Sequence, residues 1–296
     1  MLQTVNMLGT KKIAISASDN TLIAKLVKQI RSYVKKYGTG EDSELLEQAI
    51  FDLRKHQEHH RRKSGQPVII HPLRVANYIC RAGLDAPTVI AALLHDIIED
   101  TKITHKDIHK RYGAWYADIV KGLTKIKNPE SSKNRARDDL DATYQRMLKT
   151  MAQDVRALLI KLFDRLDNMR DMEAMPRDKQ RRISLETLNV YVPLAERLGL
   201  TQICQEHTEL CFKLLYPKRY QRTLADIDEL KKARISTINT MKFSLLKNLE
   251  NQNFAYHKIE PLFVHPASRI QERGPVDHVL KGFRIIVENS LACFQA

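Results

Sequence analysis

The sequence predicts an all-α fold that closes on a small α/β fragment, and three observations lead there. Only 10 glycines and 10 prolines punctuate 296 residues, which leaves long uninterrupted segments and few tight turns. Apolar residues recur at helical spacing, as in DVRALLIKLFDRLDNMRD, where Val155, Leu158, Leu159, Leu162, Leu166 and Met169 form one 3.6-residue stripe. Alternating Val-rich segments of the kind a strand needs are almost absent before residue 254. A hydrophobic content of 43% supports a sizeable buried core.

The elements follow in order. Residues 1–20 read as a tail. A helix over 21–37 is broken by Gly38 and Gly40, and a second covers 41–61. The loop RKSGQP has Gly65 and Pro67 as breakers. A helix over 72–82 starts with Pro72 at its first position and stops at Gly83, with Val75, Ile79 and Ala82 on one face. Another spans 86–99. Thr104 and Asp107 have capping-box spacing for a short helix ending before Gly113, and the next covers 114–125. The stretch KIKNPESSKNRARDD is polar and reads as a loop before helices at 138–151, 153–171 and 177–197. A long helical region over 218–251 precedes the final fragment.

The residues that carry chemistry cluster around AALLHDIIED. His95 and Asp96 are adjacent there, and an imidazole nitrogen and a carboxylate oxygen side by side can ligate one metal ion. Glu99 and Asp100 lie one helical turn beyond them, which puts four polar groups at one end of a strongly apolar run. His71 stands at a helix start, where a side chain can be aimed inward; taken alone, such a histidine is more often a cap or a core residue. Asp164, Asn168 and Asp171 share the polar face of their helix. That face is either solvated or lines a cleft, and Ile160 and Phe163 off the main stripe favour a covered helix.

These residues stand in the pattern H…HD…D, and the chain resembles the HD metal-dependent phosphohydrolases. More narrowly, RKSGQPVIIHP, LDAPTVIAALLHDIIEDT, IKLFDRLDNMRDM and YVPLAERLGL resemble the hydrolase domain of the RelA/SpoT family, which makes and hydrolyses the alarmone (p)ppGpp; the likeness runs from about residue 25 to about residue 225. The resemblance implies an HD-domain helical bundle. It implies that His71, His95, Asp96 and Asp164 ligate one Mn2+, and that Glu99 and Asp100 position and activate the attacking water. It also implies that Arg62, Lys63, Ser64 and Asn168 hold a guanine nucleotide, ppGpp or pppGpp, with Asp171 beside them. Two imidazoles and two carboxylates suit a borderline-hard divalent ion, and the absence of a thiolate disfavours structural zinc.

The chain departs from the family at three places beside the site. Asp171 stands where Thr is usual, Asp167 where His is common, and Phe163 where Ala is common. Extra negative charge beside an anionic substrate weakens binding unless it is paired, and Arg165 and Arg170 are near enough in sequence to pair with it. At the far end, VDHVLKGFRIIVENSLACFQA resembles the start of the family's synthetase domain, with Val279 at the position of an acidic Mg2+ ligand. An apolar residue cannot ligate Mg2+, and the sequence stops at Ala296, so synthesis is not expected. The implied organisation is a tail (1–20), an HD phosphohydrolase domain (21–205), a helical connector (206–251) and an incomplete synthetase-like fragment (252–296).

Composition narrows the partners. A net charge of +14 is of the kind that nucleic-acid binders carry. Here aromatic residues are 6%, and they do not interleave with the basic clusters as a stacking surface requires. A polyanionic nucleotide accounts for Arg62 and Lys63, and no nucleic-acid partner is expected. No run of about 18 apolar residues exists, so no membrane span is expected, and no secretory h-region opens the chain. Cys80, Cys204, Cys211 and Cys293 lack zinc-finger spacing and read as reduced thiols of a cytoplasmic protein. Oligomeric state leaves no mark in the sequence. Two other functions fit the same residues: an HD phosphohydrolase for another nucleotide, which the RKSG loop argues against, and a non-catalytic alarmone-binding regulator, which Asp171 favours and the intact ligand set opposes.

Overall fold

The computed structural model describes residues 15–57, 60–127, 143–145, 147–149, 154–252, 254–266 and 280–287. The chain divides into two compact units, Met1–His207 and Thr208–Ala296. The all-α expectation holds: among the described residues the strands belong to one two-stranded sheet in the second unit.

The first unit opens on α1 (Ala17–Tyr37) and α2 (Gly40–Gln57). Ser16 caps α1 by accepting from the Asp19 N–H at 3.0 Å, which satisfies one of the donors that a helix start leaves free. α3 (Ile70–Arg81) ends before Gly83, whose φ of 75° no β-carbon-bearing residue adopts easily. α4 (Ala86–Leu94) is capped by Asp85, which accepts from the Thr88 N–H at 3.1 Å. From Val89 to Leu94 every α4 residue is buried, so the helix is apolar on all sides and lies at the centre of the core. The capping box at Thr104 and Asp107 starts α6 (His105–Tyr112), and α7 (Ala114–Lys127) follows. α8 (Val155–Arg170) joins two hydrophobic clusters: Ala157, Ile160 and Phe163 pack with α1–α7, whereas Leu158 and Leu162 pack with Val190, Tyr191 and Leu194.

The structure corrects several expectations, among them the second helix, which ends at Gln57 rather than at residue 61. The segment 86–99 is not one helix: α4 stops at Leu94, and α5 (Ile97–Asp100) is a separate turn. His95 donates from Nδ1 to the Ala92 carbonyl at 2.7 Å, the acceptor that the Asp96 N–H would use in a continuing helix, and Asp96 sits at φ −107°, ψ 2°. The segment 177–197 is α9 (Arg177–Glu186), a π-helical turn (Thr187–Tyr191) and α10 (Val192–Arg197). Pro193 lacks the N–H that a regular helix needs there, and the widened turn absorbs the loss. A further helix, α11 (Thr201–Leu215), begins ahead of the expected helical connector at 206 and runs into it. Val155 is exposed rather than part of the buried stripe, and Ala82 is exposed on α3. The expected tail up to residue 14, and most of the polar loop and of helix 138–151, lie outside the described residues; 143–145 and 147–149 are helical.

His207, on α11, is fully buried in the first unit and donates from Nε2 to the Leu162 carbonyl at 3.2 Å. Burial lowers its pKa from 6.5 to about 3. The folded protein therefore refuses a proton that the unfolded chain accepts below pH 6.5. This contribution to stability is complete above that pH and falls as pH drops below it, at up to about 1.4 kcal/mol per unit. Denaturant unfolding at pH 7 and pH 5 should show a larger loss for the wild type than for His207→Gln. An equal loss in both would remove His207 as its source.

In the second unit, the region 218–251 is two helices, α12 (Pro217–Ala233) and α13 (Ile235–Asn251), separated at Arg234. The terminal fragment contains β1 (Lys258–Phe263) and β2 (Leu280–Ile286), paired antiparallel with Ile259 opposite Ile285. Val279 and Cys293 lie outside the described residues. Cys80 and Cys211 are buried and Cys204 is half-buried. No helix among the described residues is long and apolar enough to cross a membrane.

Candidate metal centre and active site

Three elements bring four side chains to one point. His71 comes from the first turn of α3, His95 and Asp96 from the break after α4, and Asp164 from the middle of α8. All four are buried, and one ligand atom from each can be chosen so that the set lies within 4.8 Å of one another. His71 Nε2 stands 3.2 Å from Asp164 Oδ1 and 3.7 Å from Asp96 Oδ2; His95 Nε2 stands 3.2 Å from Asp96 Oδ2 and 3.7 Å from Asp164 Oδ1. Ligands about 2.1 Å from one ion lie roughly 3 Å apart when adjacent and about 4 Å apart when opposite, so the spacing matches a single cation.

The hydrogen bonding of the rings points the same way. His95 Nδ1 is taken by the Ala92 carbonyl, and His71 Nδ1 by Asp167 Oδ2 at 2.7 Å. Both Nε2 atoms are buried and lack an aligned hydrogen-bond partner. Two buried nitrogens left this way are costly unless something binds them, and a divalent ion fits. Burial opposes charge on His95, but Asp96 and Asp164 outweigh it and raise the imidazole to about 10; a divalent ion would take the place of that proton. Burial would raise the Asp164 carboxyl, yet Lys161 and the two histidines hold it well below the usual range. Lys161, itself buried, meets Asp164 Oδ2 at 2.8 Å, which leaves Oδ1 on the histidine side.

Glu99 and Asp100 occupy α5, directly after Asp96, and both are exposed. Asp100 Oδ2 accepts from Gln57 Nε2 at 3.2 Å. Arg62, Lys63 and Ser64 lie on a tight turn closed by the Arg62 N–H to the Gln66 carbonyl (2.8 Å) and by Gly65, whose N–H meets the Arg62 carbonyl (2.9 Å) at φ 87°. Lys63 and Ser64 are exposed on this turn. Arg62 instead reaches α8: Nη1 lies 3.3 Å from Asp167 Oδ2 and 3.4 Å from Asp171 Oδ2, and Nη2 donates to the Asn168 side-chain oxygen. Asn168 Nδ2 in turn donates to Asp164 Oδ1 at 2.5 Å.

The counter-charge for Asp171 is thus Arg62, not the arginines closer in sequence. Arg165 pairs with Glu186 and Tyr191, and Arg170 with Glu206 and Tyr78. Sequence reasoning left Lys161, Gln57 and Tyr78 out of the site and treated Asp167 only as a departure. The signal for two of them was present: Lys161 and Asp167 stand three residues either side of Asp164, the spacing of neighbours on one helix face.

The HD domain family model matches residues 49–201, which contain all four residues of the cluster. The chain belongs to the HD domain family. Within it, the HD domain here is of the RelA/SpoT type. A Vibrio cholerae protein named guanosine-3′,5′-bis(diphosphate) 3′-pyrophosphohydrolase is 41% identical over 197 residues, 66% of this chain and 28% of that protein. A Myxococcus xanthus protein named GTP pyrophosphokinase is 32% identical over 271 residues, 89% and 36% of the two chains. The Escherichia coli protein named bifunctional (p)ppGpp synthase/hydrolase SpoT is 37% identical over 230 residues, 77% and 32%. The HD chain thus spans about a third of the length of these curated relatives.

Proposed function

We propose that this HD domain is a Mn2+-dependent hydrolase that removes the 3′-pyrophosphate of ppGpp or pppGpp, giving GDP or GTP and pyrophosphate. The observation that carries this reading is the buried His71, His95, Asp96, Asp164 cluster, with both Nε2 atoms left without an aligned hydrogen bond. The names of the relatives supply the substrate class. When bound, the ion supplies a Lewis acid for a phosphoryl oxygen and makes water at the site more acidic.

The remaining work falls to the chain's own side chains. Glu99 and Asp100 sit where exposed carboxylates can accept the proton of the attacking water. Water adds to the phosphorus on the ribose 3′ oxygen, the P–O bond to the ribose breaks, and the released 3′ oxygen takes up a proton. Arg62 and Lys63 offer positive charge to the phosphates, and Ser64 and Asn168 offer hydrogen-bonding groups to base and sugar. We place Asp171 at the margin of the nucleotide, held there by Arg62. Val279 in the proposed synthetase-like fragment (252–296) offers no side-chain carboxylate to Mg2+, so the proposed activity is hydrolysis without alarmone synthesis.

Purified protein given ppGpp and Mn2+ should release pyrophosphate, and should turn over an adenine counterpart far more slowly. A pocket built to hydrogen-bond one base leaves buried donors unpaired when it takes another, which rejects that analogue by as much as about 10⁴-fold. Equal rates on both bases, or orthophosphate released from GTP, would point to an HD phosphohydrolase for another nucleotide. The ties from Arg62 to Asp167 and Asp171 favour a second reading, an alarmone-binding regulator with weak turnover. Tight ppGpp binding without pyrophosphate release would select it.

A further inference from the structure

Asp167 is fully buried, yet four polar groups converge on it. Its Oδ2 lies 2.7 Å from His71 Nδ1 and 3.3 Å from Arg62 Nη1; its Oδ1 lies 3.2 Å from the Tyr78 hydroxyl and 3.9 Å from Arg74 Nη1. An ionised carboxylate only accepts hydrogen bonds. His71 Nδ1 must therefore carry the hydrogen, and the ring turns its Nε2 toward Asp96 and Asp164. The contacts then close into a ring. Asp167 meets Arg62, Arg62 meets Asn168, Asn168 meets Asp164, and Asp164 Oδ1 stands 3.2 Å from His71 Nε2.

We infer that Asp167 is a positioning residue that holds His71 in its cation-facing orientation and, through the same carboxylate oxygen, fixes Arg62 of the RKSG turn to the cation site. A buried polar ring of this kind is worth most when every member is satisfied. Groups that orient a metal-ligating imidazole commonly change metal affinity 10- to 100-fold when they are lost. Loss of Asp167 should loosen the cation site even though Asp167 is not a ligand. The inference rests on the proposed cation site, and titration of the wild type tests that reading separately.

The experiment is calorimetric titration of Mn2+ alone into chelator-stripped full-length protein, with thermal unfolding of the same samples. The wild type should bind one Mn2+. Asp167→Ala should bind it about 10- to 100-fold more weakly. Asp167→Asn keeps an amide oxygen that accepts from His71 Nδ1 and should recover most of that loss, a rescue that a purely structural role does not predict. Arg62→Ala should weaken Mn2+ binding at least about 2-fold, the lower end of coupling inside one hydrogen-bonded network. Adding it to Asp167→Ala should weaken binding no further.

Unchanged Mn2+ affinity in Asp167→Ala would make Asp167 a support of the fold only. Equal losses in the Ala and Asn variants would overturn the orienting hydrogen bond. If Asp167→Ala does not fold, the Asn and Arg62→Ala variants decide, and wild-type affinity in both overturns the proposal. A wild type that binds no Mn2+ removes the cation site and this inference with it.

Discussion

Replacing His95 by alanine should abolish both Mn2+ binding and turnover. His95 is fully buried and held through Nδ1 by the Ala92 carbonyl, so its Nε2 has little freedom to be replaced by another donor. Its removal leaves Asp96 and Asp164 facing each other across a buried space with one imidazole fewer between them. The cation then has three protein ligands in place of four, while Lys161 stays as the counter-charge of Asp164, so the set holds a divalent ion far less well. Chelation of the wild type should mimic the substitution, and Mn2+ should restore it better than Zn2+ or Mg2+, as an oxygen- and imidazole-rich set without thiolate implies. Metal analysis beside an assay of pyrophosphate release checks both. Full turnover in excess chelator with no bound metal would sink the assignment.

Glu99→Gln combined with Asp100→Asn should lower the rate about 10²-fold or more while leaving bound Mn2+ nearly unchanged. The scale is the usual one for loss of a general base. The separation of the two effects follows from burial: the cluster residues are enclosed, whereas Glu99 and Asp100 are exposed on α5 beyond Asp96. An amide keeps the size of the carboxylate and removes its ability to take a proton at neutral pH. Full hydrolysis in the double variant would reduce the pair to charges at a helix end. Loss of the metal instead would make them part of the ligand environment.

Much of the site was visible before the fold, because its residue types are costly anywhere else. A histidine and an aspartate closing a run as apolar as AALL, with further carboxylates one turn on, are hard to explain by packing. The clamp on Arg62 was not visible. It joins residues 62 and 167–171, and no local pattern ties a turn to a helix about a hundred residues away. The break at His95 was equally hidden, since AALLHDIIED has neither glycine nor proline, and the interruption comes from a side chain taking a backbone carbonyl. By contrast, the π-helical turn had a signal in Pro193 that helical periodicity alone overrides. The central place of α4 follows directly from a sequence apolar on every face.

The pairing of Arg62 with Asp167 and Asp171 has a consequence for how the site senses charge. A lone arginine facing solvent adds its full attraction to an arriving anion and gives binding a steep dependence on ionic strength. Here the guanidinium already holds anions of its own. A phosphate that recruits it exchanges one ion pair for another, and what remains is the difference between two similar energies. Selectivity at this position then comes from shape and from which oxygens meet the planar fork of the guanidinium. Arg62 behaves as an occupied socket whose resident carboxylates set the threshold that any incoming anion must exceed.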